Sequence, residues 1–160
     1  MDFEILLLVL TILLTSLTTG LFFDYAVAVN WGLNKLKDEE YVHAMQSINR
    51  VIQNPLFFTA FFMPVLLLPL VTFLYGGPVG SARFLLFIGA TVAYIFGTFG
   101  TTMAKNVPLN NQLDTVPDSA SSKEISQART QFEHPWNRLN AVRTVTGMVA
   151  VILLSWGALL

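Results

Sequence analysis

The most informative absence is that of cysteine, since the 160-residue chain has none. This excludes disulfides, thiolate metal ligands and a cysteine nucleophile. Charged residues are also scarce, because they make up only 12% of the chain, against about 25% in soluble domains. The net charge of −1 comes without any run of lysine or arginine, which excludes a nucleic acid as a partner.

Motifs for cofactor and metal chemistry are missing as well. No glycine-rich phosphate loop, nucleophile elbow or haem-attachment motif occurs, so nucleotide chemistry, serine hydrolysis and c-type haem have no support. The histidines, His43 and His134, have no second ligand one helical turn away. A metal site would need them to converge with Asp114 or a glutamate. We therefore predict neither a metal nor a bound cofactor.

The beginning of the sequence, Met1–Glu4, lacks the basic residues of a secretory signal and is acidic instead. No small-residue cleavage site follows the first apolar run. We therefore expect that run to remain in the protein as a membrane-spanning helix.

What the chain does contain is four long apolar stretches, within a composition that is 54% hydrophobic. They cover residues 5–23, 55–75, 84–103 and 141–160. Each approaches the about 20 residues that a helix needs to cross a bilayer. The sequence predicts an all-α fold, with residues 1–160 forming a single membrane domain. This domain is an integral membrane four-helix bundle with an additional amphipathic helix and a helical loop segment on one membrane face.

Four spans also decide which connections share a side of the membrane. Segments 24–54 and 104–140 emerge together, whereas the termini and the 76–83 turn lie opposite. Eight of the nine lysines and arginines fall on the first side, and only Arg83 falls on the other. The positive-inside rule then predicts cytoplasmic large loops and external termini. We expect the protein to lie in the plasma membrane.

Two further helices are predicted in the connections. Asp38–Gln53 has apolar and polar residues on different faces at three- and four-residue steps, which is typical of an amphipathic helix. The dipeptide Asn54-Pro55 indicates a helix start, because a capping side chain precedes a proline at the first helical position. In the last connection we expect a helix over Lys123–Phe132, with Pro135 beginning the fourth span.

A column of polar residues enters the fourth span. Trp136, Asn140 and Arg143 share one face of a helix, and almost continuous apolar sequence follows Arg143. An arginine at membrane depth faces a bundle interior or a polar cavity, because exposing it to lipid costs about 3 kcal/mol. Asp114 is its predicted ion-pair partner, with Asp24 second.

The side of the membrane that carries the large connections therefore collects most of the polar chemistry. The candidate catalytic residues are Asp114, Arg143, Asn140 and Asn110. The candidate substrate-binding residues are Trp136, Asn54, Arg50, Asn49, Phe57 and Phe61. A purely structural interpretation also fits, in which these groups cap helix ends and join loops to helices.

Four blocks of sequence resemble those of a known family. They are Asp38–Arg50, Asn54–Phe58, Val107–Asp114 and Phe132–Thr144, in this order around the apolar stretches. Together they look like the anthrone oxygenase-like family of small membrane proteins. The resemblance implies a four-helix membrane fold. For the fungal polyketide-pathway members it also implies oxidation of an anthrone to an anthraquinone by molecular oxygen, without a bound cofactor. Those members tend to have histidine at the position of Asn140 in this sequence.

The resemblance leads to a hypothesis for the chemistry. Asp114 would take a proton from an acidic C–H or phenol. Arg143, Asn110 and Asn140 would stabilise the resulting oxyanion. The electron-rich anion would then reduce molecular oxygen, the co-substrate, while the aromatic binding residues hold a flat hydroxyaromatic substrate.

Two other classes of function fit the same sequence. The protein could bind a lipid, quinone or hydrophobic metabolite without chemistry. It could also be a structural partner subunit, because Gly89, Ala93, Gly97 and Thr101 form a stripe of small residues that suits close helix packing. The expected partners are therefore membrane lipid, a hydrophobic small molecule or a second copy of the chain in a homo-oligomer.

Overall fold

The computed structural model describes residues 3–160, so the predicted acidic start at Met1 and Asp2 lies outside it. The helices are α1 (Phe3–Leu33), α2 (Asp38–Val51), α3 (Pro55–Tyr75), α4 (Ala82–Asp114) and α5 (Ser122–Ala158). No strand occurs in the described part of the chain. All of these helices except α2 are long and apolar enough to cross a membrane. The predicted all-helical class is therefore confirmed, and the chain is an integral membrane protein.

The amphipathic helix and the start of α3 are also confirmed. Helix α2 occupies Asp38–Val51, close to the predicted range. The Asn54 side chain accepts a hydrogen bond from the backbone N–H of Phe57 at 3.1 Å, with Pro55 at the first helical position. Local sequence signals alone fix this helix start, because cap and proline act on the same few residues.

In the last connection the helix predicted over Lys123–Phe132 is confirmed, but the predicted start of the fourth span at Pro135 was wrong. No separate helix ends before Pro135, because α5 runs without interruption from Ser122 to Ala158. Its cap is Ser121, whose N–H donates to the Glu124 carboxylate at 2.8 Å. Pro135 is tolerated inside the helix because the carbonyl it leaves without a donor belongs to Gln131, an exposed residue that water can reach.

Two helices contain π-helical turns, which the sequence pattern did not predict. They lie at Tyr25–Val29 in α1 and at Ala93–Gly100 and Thr102–Asn106 in α4. Such turns inside α-helices occur frequently at functional sites. Here Tyr25 and Thr102 both face the cavity described below.

The hydrophobic core has two parts. The larger part lies among the spans and includes Leu68, Phe87 and Leu154. The smaller part packs α2 against α4 and α5 and is built from Tyr41, Val42, Met45, Leu113, Ile125, Phe132 and Trp136. Burial raises the pKa of the Tyr41 phenol. The amphipathic helix is therefore a cap on one end of the spans, held by its own apolar face.

Polar contacts hold the same end together. Arg129 donates to the backbone carbonyl of Leu36 at 2.7 Å and to the Asp38 carboxylate at 3.0 Å. Hydrogen bonds from Ser126 and Arg129 lower the pKa of the Asp38 carboxyl. The Gln46 side chain donates to the backbone carbonyls of Leu113 and Val116, each at 2.9 Å. Segments 24–54 and 104–140 thus converge at one end, as the count of spans predicts.

The predicted close packing of small residues is found between α4 and α5. A Cβ atom at Gly97 would overlap the Thr146 side chain of α5. A second close approach, between α1 and α5, occurs at Gly147, where a Cβ atom would lie 2.6 Å from Thr19 Oγ1. These contacts bring α5 near enough to its neighbours for its polar column to be enclosed.

Candidate ligand cavity around Arg143

A cavity of about 260 Å³ opens where all five helices meet. Aromatic rings supply a large part of its wall, and these belong to Phe22, Tyr25, Phe57, Phe58, Phe61, Phe62 and Trp136. Its polar lining consists of Asn49, Gln53, Thr102, Asn110, Asn111 and Arg143. The cavity therefore combines an apolar slot with a single cationic group.

The Arg143 guanidinium is buried, with 4% of the residue exposed. Its Nη2 donates to Asn140 Oδ1 at 2.7 Å. Its Cζ lies 4.1 Å from the centre of the Phe22 ring and 5.0 Å from that of Trp136. Across residues 3–160, Nε has no hydrogen-bond partner and no carboxylate lies within ion-pairing distance. The positive charge is thus partly stabilised by the rings but has no counter-ion among the described residues.

Asn140 is fully buried and fixes the position of Arg143. Its Nδ2 donates to the backbone carbonyl of Phe22 at 3.0 Å, and Thr144 Oγ1 donates to the same carbonyl at 3.0 Å. These bonds attach α5 to α1 just before the π-helical turn. Asn140 itself is not part of the cavity wall, so it is a positioning residue.

Trp136 is held in place from two directions. Its indole N–H donates to Asn110 Oδ1 at 2.8 Å. Its ring lies 6.0 Å from that of Phe132 in a stacked arrangement and 5.3 Å from that of Tyr25. The flat face that Trp136 offers to the cavity is therefore oriented before any ligand arrives.

A second flat surface is formed by the phenylalanines of α3. The Phe57 and Phe61 rings stack with their centres 5.4 Å apart and their planes 10° from parallel. Phe99 of α4 supports Phe61 at 5.2 Å. Planar aromatic surfaces of this kind favour a planar ligand, since they pack against it over its whole face.

Asn49 and Asn106 have buried amide groups without partners. The Nδ2 atom of Asn49, a residue that is 8% exposed and lines the cavity, has no hydrogen-bond partner within residues 3–160. Neither polar atom of the Asn106 side chain has one in that range, and this residue is fully buried. Unsatisfied buried groups are uncommon in proteins and call for a specific explanation.

The predicted ion pair between Arg143 and Asp114 was wrong. Asp114 Oδ1 instead accepts a hydrogen bond from Nε of Arg50 at 2.8 Å and lies 2.8 Å from its Nη2, in an ion pair on the half-exposed surface. Asp24, the second predicted partner, is also exposed and makes no ion pair in the described structure. An exposed pair avoids the desolvation that a buried one must overcome, which explains why Asp114 stays outside the cavity.

The cavity wall includes some of the predicted site residues and excludes others. Those in the wall are Arg143, Asn110, Trp136, Asn49, Phe57 and Phe61. Asp114, Arg50, Asn54 and Asn140 lie outside it. Asn54 caps α3 instead, and Arg50 pairs with Asp114. Phe22 and Tyr25 were not predicted, because α1 is apolar around most of its circumference and its pattern gives no sign of which face meets a cavity.

Histidines and carboxylates do not gather at the cavity. Across residues 3–160, no cluster of three or more histidine, aspartate or glutamate side chains is arranged to hold a metal ion. His43 lies 3.7 Å from Asp118 on the exposed surface, and His134 is exposed too.

The fold and this cavity define a class: an integral membrane protein whose helices enclose an apolar slot around a buried arginine. The family follows from sequence comparison, in which residues 56–153 match the family model described as Anthrone oxygenase. Because this match covers more than half of the chain, the protein belongs to that family. No curated protein and no solved structure matches the chain.

Proposed function

We propose that the protein is a membrane-embedded oxygenase that oxidises a flat hydroxyaromatic compound with molecular oxygen and without a bound cofactor. The observation that carries this proposal is the position of Arg143, a buried cation that faces an aromatic slot and has no counter-ion within residues 3–160. Membership of the anthrone oxygenase family supports the same class of reaction.

The role proposed for Arg143 is to bind the substrate as an oxyanion. A phenol or enol that loses its proton there gains a charge-assisted hydrogen bond from Nε, which is free in the described structure. Such a contact is strong in a cavity that excludes most water. The anion is also more electron-rich than the neutral compound, so it reduces oxygen more readily.

The proton acceptor in this proposal is water rather than Asp114. The described cavity wall contains no carboxylate or imidazole, but exposed Gln53 and Asn111 line it where α2 and α4 meet the aqueous side. Ionisation of the substrate is then driven by the positive charge of Arg143, which favours a nearby anion. Proton transfer to a positioned side chain is not required.

The atoms of the proposed reaction balance without a further reductant. The substrate anion adds to oxygen and takes up one proton, which gives a hydroperoxide at the former CH₂ carbon. Loss of water from this hydroperoxide gives the carbonyl group. One oxygen atom ends in the product and the other in water, and the carbon supplies all four electrons that oxygen accepts.

The cavity is also open on its apolar side. Phe58, Phe62 and Met103 line the cavity, yet they are 40%, 41% and 43% exposed. Phe62 lies seven residues into α3, or about 10 Å along a helix axis. We propose that a substrate dissolved in the bilayer enters between α3 and α4 at this place.

The orientation proposed for the protein follows from its charges. The end with α2 carries eight of the nine lysines and arginines. At the other end, Arg83 pairs with Glu4 at 2.6 Å, so its charge is offset. The positive-inside rule then favours a cytoplasmic location for the α2 end.

Oxygen consumption by the purified protein tests the proposed activity. The assay uses 1,8-dihydroxyanthrone in detergent, with autoxidation subtracted and the quinone product followed by its absorbance. We expect Arg143→Gln to lower the enzymatic rate about 100-fold, in line with the loss of an oxyanion donor. The matched control is Arg138→Gln, an exposed arginine on the same helix, which should keep the parent rate. A parent rate equal to autoxidation would refute the proposal.

Non-enzymatic binding is a second candidate function. The observation that favours it is the lack of an acid–base side chain in the described cavity wall. In that case the slot would hold an anionic lipid, quinone or metabolite. Mass spectrometry of the purified protein would detect such a molecule, and its loss in Arg143→Gln with no oxygen consumption by the parent would favour binding.

A further inference from the structure

We infer that Asn49 is a specificity-determining residue, which donates a hydrogen bond to a second oxygen atom of the ligand that Arg143 holds. The cavity would then select flat ring systems with at least two oxygen atoms over those with one. This inference rests on the proposed function, since it extends the same site from one anchoring point to two.

The state of the Asn49 side chain is the first support. It belongs to α2, is more than nine-tenths buried and lines the same cavity as Arg143. Its Nδ2 group has no acceptor among residues 3–160. A buried donor without an acceptor is costly, so the structure has a place for an oxygen that the described chain does not supply.

The neighbouring carboxamides, Gln46 in α2 and Gln53 just after it, show that Asn49 has no evident part in holding the helix. Gln46, one turn earlier, donates to the backbone carbonyls of Leu113 and Val116 and so fastens α2 to α4. Gln53, one turn later, donates to the backbone carbonyl of Asn49 at 3.0 Å. Of these three side chains, only that of Asn49 has a buried N–H group left without a partner inside the described structure.

The chemistry of the two groups defines the ligand. Arg143 Nε and Asn49 Nδ2 are both donors, and both lack acceptors in the described structure. A ligand that satisfies them must present an acceptor to each, such as an oxyanion to the arginine and a hydroxyl or carbonyl oxygen to the amide. A ligand with a single oxygen leaves one donor unsatisfied and loses affinity for that reason.

Binding measured by tryptophan fluorescence tests this inference without turnover. Trp31→Phe and Trp156→Phe replace two exposed residues and leave Trp136, in the cavity wall, as the reporter. In this background and under nitrogen, 1,8-dihydroxyanthrone is compared with unsubstituted anthrone. We expect Asn49→Leu to lower the affinity for the dihydroxy compound about 10-fold, as one lost hydrogen bond implies. The affinity for anthrone should stay unchanged.

Two further variants serve as controls. Asn49→Asp keeps the size of the side chain, and therefore its packing, but removes the donor. It should lose the preference for 1,8-dihydroxyanthrone over anthrone, as Asn49→Leu does. Gln112→Leu removes an exposed carboxamide of α4 that lies outside the cavity wall, and should keep the discrimination of the parent.

The outcomes separate this inference from the proposed function. If the parent binds both compounds and Asn49→Leu changes their affinities by the same factor or not at all, Asn49 does not set specificity, while the function of Arg143 stands. If the parent binds neither compound, the inference and the proposed function are both overturned.

Discussion

Arg143 donates a hydrogen bond from Nη2 to Oδ1 of Asn140 at 2.7 Å, within a single turn of α5. The helix thus orients its own arginine, and no acidic residue takes part. An acidic partner would neutralise the charge, whereas an asparagine fixes its direction and leaves it available to a ligand. The contact therefore supports the proposal that Arg143 binds an anion.

The first prediction concerns stability. Arg143→Met should raise the melting temperature of the protein in detergent and increase the free energy of unfolding by about 1–3 kcal/mol, because an apolar side chain avoids the desolvation of an unpaired buried charge. The lost bond to Asn140 offsets part of this gain. Arg138→Met, on the exposed side of the helix, should change the free energy of unfolding by less than about 0.5 kcal/mol. Destabilisation by Arg143→Met beyond that of the control would show that the charge is already compensated.

The second prediction concerns Asp114. Asp114→Asn should leave oxygen consumption and ligand affinity at the level of the parent, because its carboxylate pairs with Arg50 outside the cavity. Stability should fall by no more than about 1 kcal/mol, as is usual for exposed pairs. Thermal unfolding at low and high salt measures this contribution of the ion pair to stability, which should decrease as the salt concentration rises. A large loss of activity with intact folding would restore Asp114 as a candidate base.

The third prediction concerns access from the bilayer. In lipid vesicles, Met103→Phe should slow ligand binding and Met103→Ala should speed it, because the side chain stands at the exposed rim of the cavity. Stopped-flow quenching of Trp136 measures the rates. Leu66→Phe and Leu66→Ala alter an exposed α3 residue away from the cavity and serve as controls. Equal rates in all four variants would contradict access at this place.

The fourth prediction concerns the approach of α1 to α5. Gly147→Ala should destabilise the protein by about 1–3 kcal/mol, because its Cβ would lie 2.6 Å from Thr19 Oγ1. Thr19 cannot turn away freely, since its hydroxyl donates to the backbone carbonyl of Thr15 at 2.8 Å. Gly20→Ala meets open space and should be neutral or slightly stabilising in thermal unfolding. Similar melting temperatures for the two variants would argue against a tight contact at Gly147.

The sequence was most informative where a signal is local. The apolar stretches, the amphipathic pattern of α2 and the cap at Asn54 all act over a few neighbouring residues, and the structure confirms each of them. The start of α5 shows the limit of such signals. A favourable proline position at Pro135 looked like a helix start, although the actual cap lies at Ser121.

Contacts between distant segments were harder to predict. Charge suggested that Arg143 would pair with Asp114, but opposite charge alone does not say which carboxylate lies near enough. Asp114, at the end of α4, meets Arg50 on the surface, while Arg143 is enclosed by Phe22, Trp136 and Asn140. The role of Phe22 could not be read from α1, whose apolar residues surround most of the helix.

The sequence by itself determined that four apolar helices form and that their polar connections meet at one end, because helix length and the count of spans depend only on the order of residues. Only the tertiary structure decided that the arginine would lack a counter-ion and face an aromatic slot. That outcome depends on the rotation of α1, α4 and α5 about their axes, which is set by side-chain packing across segments far apart in the chain.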